Sequence, residues 1–244
     1  MSAPPVVKPA QQDTSGSTEI ERIRAEYDRR RREIPKDFYS WGRLTNYFFN
    51  SQLVRDCIVE LKREQMFPLE NRSVADIGCG PGTWLLEFAQ WEASDLHGIE
   101  LDPARLQRAK ERLPQADLRS GDAQHLPWSD KSFDLVSQFT LFSSILDESV
   151  KRRIAKEMVR VLKPGGMILW FDFRVNNPRN PNVRGIRRDE ILSLFPGCSI
   201  RLKPVTLAPP IARAVVPRSW IAASILEKFP FLRTHHLGLI RKHA

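Results

Sequence analysis

Val74-Ala-Asp-Ile-Gly-Cys-Gly-Pro-Gly-Thr-Trp84 decides the fold. Its first four residues, three apolar and two of them β-branched, have the composition of a buried strand. Gly78, Gly80 and Gly82 then break the run, and Thr83 opens a stretch with helical spacing. Strand, tight glycine turn and helix form the opening unit of a parallel α/β sheet, which binds ligands beyond the carboxyl ends of its strands. Two residues make this turn unlike a phosphate cradle. Pro81 has no backbone donor, and Asp76 sets a carboxylate at the mouth.

The spacing is G-x-G-x-G, whereas a dinucleotide fingerprint is G-x-G-x-x-G. Asp76 would also repel a pyrophosphate at close range, more strongly where water is excluded. A ligand carrying an ammonium or sulfonium reverses that sign, and the glycines then serve close backbone approach.

Working outward, strands and helices alternate. Residues 83–91 read as a helix and 96–99 as a strand ending at Glu100. Asp102-Pro103 starts the next helix, with Asp as N-cap and Pro in the first turn. Residues 116–118 and 133–138 read as strands. Asp147 caps a helix with Val150, Ile154, Met158 and Val161 as its buried stripe, and Lys163-Pro-Gly-Gly166 reads as its stop. Residues 167–173 form an apolar strand of the kind buried on both faces. Beyond Pro196 the pattern predicts a strand over 199–207, a helix over 219–228 and a final strand over 236–241. Upstream, a capping box Thr18/Glu21 predicts a helix start at Thr18, with the run Arg29–Arg32 as a solvated face. A second helix is expected over 46–66. Residues 1–17, rich in Pro, Ser and Gln, read as a disordered tail.

Glu100 ends the second strand, where a carboxylate accepts from ribose hydroxyls. Asp122, after the third strand, is placed to accept from an adenine amino group. A ribose together with a cation points to S-adenosylmethionine. Taken singly, Glu100 reads equally as a wet strand end and Asp122 as a turn residue.

The motifs VADIGCGPG, GIELDP, GDAQHLP, FDLV and VLKPGG together resemble those of the class I S-adenosylmethionine-dependent methyltransferases. The resemblance covers Val74 to about Phe173. It implies a Rossmann-like, seven-stranded, mostly parallel sheet with helices on both faces, whose last pair of strands includes an antiparallel one. A methyltransferase domain over 71–244 would then follow an N-terminal helical lid over 18–70. By the same resemblance Asp76, Gly78, Cys79, Gly80 and Gly82 hold the methionine portion, Glu100 the ribose, and Leu101, Asp122 and Ala123 the adenine. Cys79 is then a small loop residue and not a nucleophile. The stretch EYDRRRREIP…DFYSW resembles lid segments of bacterial small-molecule methyltransferases. Tyr27 and Tyr39 would then face cofactor or acceptor, although core packing accounts for Tyr27 equally well.

The residues after the fourth strand, Gln138-Phe-Thr-Leu-Phe142, belong near the transferring methyl group. Gln138 is assigned to the cofactor, and Phe139 and Phe142 to the acceptor. They lack the Asn/Asp-Pro-Pro-aromatic signature of amino-directed nucleic-acid enzymes, a cysteine nucleophile, and the carboxylate of a metal-assisted catechol-type enzyme. No metal site is expected. The segment 172–188 leaves the fifth strand with several arginines, among them Arg179 and Arg184. They suit an anionic acceptor, or are solvated residues of a loop shaped by Asx-turns. His125, Asp172 and Tyr39 are the candidate bases.

The net charge of +9 leaves an anionic partner open. Cys57, Cys79 and Cys198 are scattered and odd in number, which argues for a reduced, cytoplasmic setting. No secretory signal or transmembrane run is legible, so membrane contact would be peripheral. The expectation is a metal-independent methyltransferase of a small-molecule acceptor, with nucleic acid a less favoured partner. The rivals are an RNA methyltransferase, a cofactor-binding partner protein without activity, and a nicotinamide oxidoreductase.

Overall fold

The computed structural model describes residues 14–35, 38, 40, 42–178 and 180–243. Seven strands form one sheet in the order β3-β2-β1-β4-β5-β7-β6. They are β1 (Ser73–Ile77), β2 (Asp95–Glu100), β3 (Asp117–Ser120), β4 (Phe133–Phe139), β5 (Leu162–Phe173), β6 (Cys198–Leu207) and β7 (Arg233–Lys242). β1 to β5 pair in parallel, whereas β7 runs antiparallel to both β5 and β6. β6 is therefore parallel to β5, and its carboxyl end shares the edge where β1, β2 and β4 end.

Alternation along β1 sets the two layers. Val74 points into one core with α2 (Leu44–Arg63), α3 (Thr83–Gln90) and α4 (Pro103–Arg112). Ala75 and Ile77 point into the other, with α5 (Glu148–Val161) and α6 (Arg188–Leu194). The amphipathic stripe expected in α5 is buried there, and Asp147 caps the helix through the Ser149 and Val150 amides. Asp102 caps α4 in the same way. A third cluster joins Phe48 of α2 to α7 (Pro209–Val215) and α8 (Trp220–Leu226).

Several boundaries differ from the sequence reading. α1 (Thr14–Glu33) begins four residues before Thr18, so residues 14–17 of the expected tail are helical. Gly16 lies close to the Gln124 and Arg153 side chains, and Glu19 accepts from the Leu146 amide. Tertiary contact carries the helix past its local cap signal. Residues 1–13 lie outside the described residues. α5 does end at Val161, just before Lys163-Pro-Gly-Gly166, but that stretch is already the first part of β5 and not a separate turn. Gly165 takes φ +74° there, and the β4–β5 register slips between Phe133 and Leu135, an irregularity that absorbs the glycines. α6 and α7 were not expected.

Candidate active site

β1 carries Asp76 and the glycine turn to the carboxyl edge of the sheet. Gly78, Gly80 and Gly82 hold φ of +74°, +56° and +76°, where a side chain is strained. The donors of this turn are already committed. The Gly78 and Cys79 amides both donate to the Ile99 carbonyl, at 2.9 and 3.0 Å, and the Gly82 amide donates to the Cys79 carbonyl at 3.0 Å. The Gly80 amide donates to Glu100 Oε2 at 2.8 Å. Pro81 has none to give. A phosphate would find no free amide in the turn itself, which leaves only the uncapped first turn of α3 to meet an anion.

What the turn does offer is negative charge. Asp76 is buried and accepts from Ser137 Oγ at 2.7 Å. Burial pushes its carboxyl up to about 7, the Ser137 hydroxyl opposes this, and nearby Glu100 adds to it. Glu100 is buried too, its second oxygen accepting from the Asp102 amide at 2.9 Å. Two carboxylates this dry are stabilised by a cation between them. Arg105, on the first turn of α4, brings one from the chain itself. Its Nη1 lies 3.8 Å from Glu100 Oε2, and a Cβ built on Gly80 would come within 2.5 Å of Nη2. The sequence reading missed Arg105. Its position three residues after the N-cap was the available signal, because that turn of helix faces back to the loop.

The remaining cofactor candidates are placed as follows. Leu101 and Ala123 are half-buried. Asp122 closes its own turn, accepting from the Gln124 amide at 2.9 Å and the Gln124 side chain at 2.7 Å. Cys79 is buried, and burial pushes its thiol far up, so no thiolate forms at neutral pH. Gln138 is fully buried and committed internally. Its amide nitrogen donates to the Phe171 carbonyl at 3.3 Å, and its oxygen accepts from the Leu141 amide at 3.0 Å. These two bonds fix the Gln138 side chain at the end of β4.

α1 lies across this edge. Arg31 pairs with Asp102 at the start of α4, Arg22 donates to the Ser144 carbonyl at 2.6 Å, and Asn182 donates to Glu26 Oε2 at 2.8 Å. The Arg29–Arg32 run is thus not merely a solvated face. Tyr27, itself on α1, turns toward α4 with its ring 5.0 Å from the Arg105 guanidinium, and burial raises its phenol.

At the end of β4, Phe139 stacks on Trp84 with centroids 3.8 Å apart and planes 4° from parallel. Phe139 neighbours Phe171, which stacks on His235 at 4.7 Å. Burial lowers His235 to about 3, so its ring is neutral and part of an apolar wall. Trp84 and His235 had not been singled out. Phe142 does not join this wall. A short 3-10 turn over 142–144 rotates it into the opposite core, fully buried against Trp170 and Phe195. Arg184 is held by Glu148 and by Glu190, the latter at 2.9 Å, so its charge is already neutralised. Asp172 is buried, accepts from the Ser143 and Phe173 amides at 3.1 and 2.8 Å, and is pushed up to about 6 by burial. His125 is exposed. Tyr39 and Arg179 lie outside the described residues. Among the described residues, no group of three His, Cys, Asp or Glu side chains is arranged to hold a metal.

Fold and site together define a Rossmann-like domain built for a nucleoside carrying positive charge. Residues 74–166, just under two-fifths of the chain, match the family described as "Methyltransferase domain", and with the fold they support a class I S-adenosylmethionine-dependent methyltransferase. Among curated proteins it is 35% identical over 116 residues to the phthiotriol/phenolphthiotriol dimycocerosates methyltransferase of Mycobacterium tuberculosis, covering 45% of this chain and 40% of that protein. It is 29% identical over 130 residues to the demethylmenaquinone methyltransferase of Lactiplantibacillus plantarum, covering 50% and 53%. The match thus spans about half or less of these relatives' length. Among solved structures, phosphoethanolamine N-methyltransferase 1 of Haemonchus contortus, in complex with phosphoethanolamine and S-adenosylhomocysteine, superposes with a TM-score of 0.63. It shows 15% identity and covers 93% of this chain and 50% of that one. The [4+2]-cyclase SpnF superposes at 0.59 with 21% identity, covering 78% and 81%. At these identities the structures show the fold alone.

Proposed function

We propose that the chain transfers the methyl group of S-adenosylmethionine to a small, largely apolar acceptor by in-line displacement without a metal. The observation that carries the reading is the glycine turn whose amides are spent and whose mouth holds Asp76 and Glu100. That arrangement favours a cationic nucleoside over a dianion. Asp76 and Glu100 are the groups that would hold the cofactor, which supplies an electrophilic methyl on sulfonium. The chain's own part is to orient the acceptor and exclude water. The wall of Trp84, Phe139 and Phe171 suits a planar or aliphatic acceptor. The relatives named for demethylmenaquinone and for phthiotriol/phenolphthiotriol dimycocerosates support the small-molecule class. The α1 contacts across the edge support its reading as a lid.

The test has two readouts. Calorimetry of the full chain should show S-adenosylhomocysteine uptake and none for reduced nicotinamide dinucleotide; the reverse result ends this reading. Methyl transfer from labelled S-adenosylmethionine should then appear with demethylmenaquinone or another apolar acceptor. Transfer to RNA with steep salt dependence would replace the acceptor class.

A further inference from the structure

The segment between β6 and β7, residues 208–232, stands at the same edge as the cofactor turn, because β6 ends there and β7 begins there. Its inner side is accounted for: Ala212, Val216 and Ala223 pack with Phe48 and Leu207, and Trp220 meets Phe48 edge-on at 4.9 Å. Its outer side is not. Ile221 and Ile225, one helical turn apart on α8, are 74% and 51% exposed, and Phe231 just beyond is 78% exposed. Phe229 lies beside Phe231 at 5.7 Å. Tyr47, at the start of α2 and 6.0 Å from Trp220, extends the apolar face.

Charge around this face is one-sided. Arg213, Arg218 and Lys228 are exposed, and among the described residues none of them lies within ion-pair distance of a carboxylate. The only acid of the segment, Glu227, is buried. We infer that this face docks on an anionic lipid bilayer, with Ile221, Ile225, Phe229 and Phe231 entering the headgroup–acyl boundary and the cations meeting lipid phosphates. Exposed aliphatic and aromatic side chains ringed by cations are what such a surface recognises. Apposition of two copies through this face would bring like charges together. Docking also sets the acceptor edge against the lipid phase, so an apolar acceptor need not cross water.

The experiment is co-sedimentation of the full chain with vesicles of phosphatidylcholine alone or mixed with phosphatidylglycerol. Association is expected with the mixed vesicles and should weaken at high salt. The double variant Ile221→Ser/Phe231→Ser should lose about tenfold or more in partitioning, and Arg218→Gln and Lys228→Gln about fivefold each. An unchanged melting temperature checks that each variant is folded. No association with mixed vesicles, or equal association by the double variant, overturns the inference. So does a concentration-dependent dimer abolished by the same double replacement, which assigns the face to a second copy. Vesicle binding is read without methyl transfer, so its failure leaves the proposed reaction standing.

Discussion

Asp76→Asn should make the ligand-free protein more stable while weakening its hold on the cofactor. Burial raises the Asp76 carboxyl from 3.8 to about 7, so the folded state binds this proton more tightly than the unfolded chain does. The stability tied to that proton is complete below about pH 4 and is lost as pH rises through about 7. Fully ionised, the group costs up to about 4 kcal/mol, since each tenfold change in proton affinity corresponds to about 1.4 kcal/mol. Asparagine has the same shape, can still accept from Ser137 Oγ, and carries no charge to desolvate. Between pH 5.5 and pH 8 the advantage of the variant should grow by about 2 kcal/mol, or about 4–8 °C in melting temperature for a chain of this size. Melting curves of both proteins at the two pH values, without ligand, measure that difference directly and cancel every titration they share. Calorimetry should show the opposite sign for binding. Loss of a charge-assisted contact weakens S-adenosylmethionine about tenfold to a hundredfold, and wild-type affinity should rise with pH up to about 7 as Asp76 ionises. A variant that is no more stable at pH 8 than at pH 5.5, relative to wild type, would refute the dry-carboxylate argument. Unchanged affinity would refute the role of the charge.

Three further outcomes follow from the geometry. Glu100→Ala strands the buried Gly80 and Asp102 amides and should cost about 2–4 kcal/mol in urea unfolding, with Glu100→Gln costing less because one acceptor remains. Trp84→Ala removes the ring stacked on Phe139; the KM of an apolar acceptor should rise about tenfold, with S-adenosylhomocysteine affinity unchanged. Gly238→Ala would place a Cβ 2.2 Å from the Arg201 carbonyl oxygen, where β7 is paired on both sides. A loss of about 3 kcal/mol is expected by circular-dichroism melting, and an unperturbed melt would mean that the strands can part there at little cost.

The parts of this fold that could be read from the sequence are those whose signal is local. β1, its turn and the capped starts of α4 and α5 each depend on residues within one or two turns of chain. The parts that escaped depend on distant partners. Phe142 follows a strand whose end faces the ligand, yet one 3-10 turn rotates it onto Trp170 and Phe195, residues 28 and 53 positions away. Arg184 reads as an anion receptor or a solvated loop residue, whereas it is paired, and its carboxylates come from α5 and α6. At seven residues, α6 and α7 are too short for helical periodicity to rise above noise. Lys163-Pro-Gly-Gly166 carries the composition of a helix stop, and only pairing with β4 shows that the strand has already begun.

Arg105 shows how the distant and local signals meet in one site. The sequence places two carboxylates at adjacent strand ends, and folding buries both, which without a cation would be strongly unfavourable. The chain answers with a guanidinium from the helix capped by Asp102, held under Tyr27 and beside Gly80. The same Asp102 also receives Arg31 from α1. Arg105 meets α1 at Tyr27, and its helix meets α1 again at the Asp102–Arg31 pair. Contacts of Arg105 with Glu100 and Tyr27, and of Asp102 with Arg31, thus link the two strand-end carboxylates to α1 through residues that no glycine motif announces.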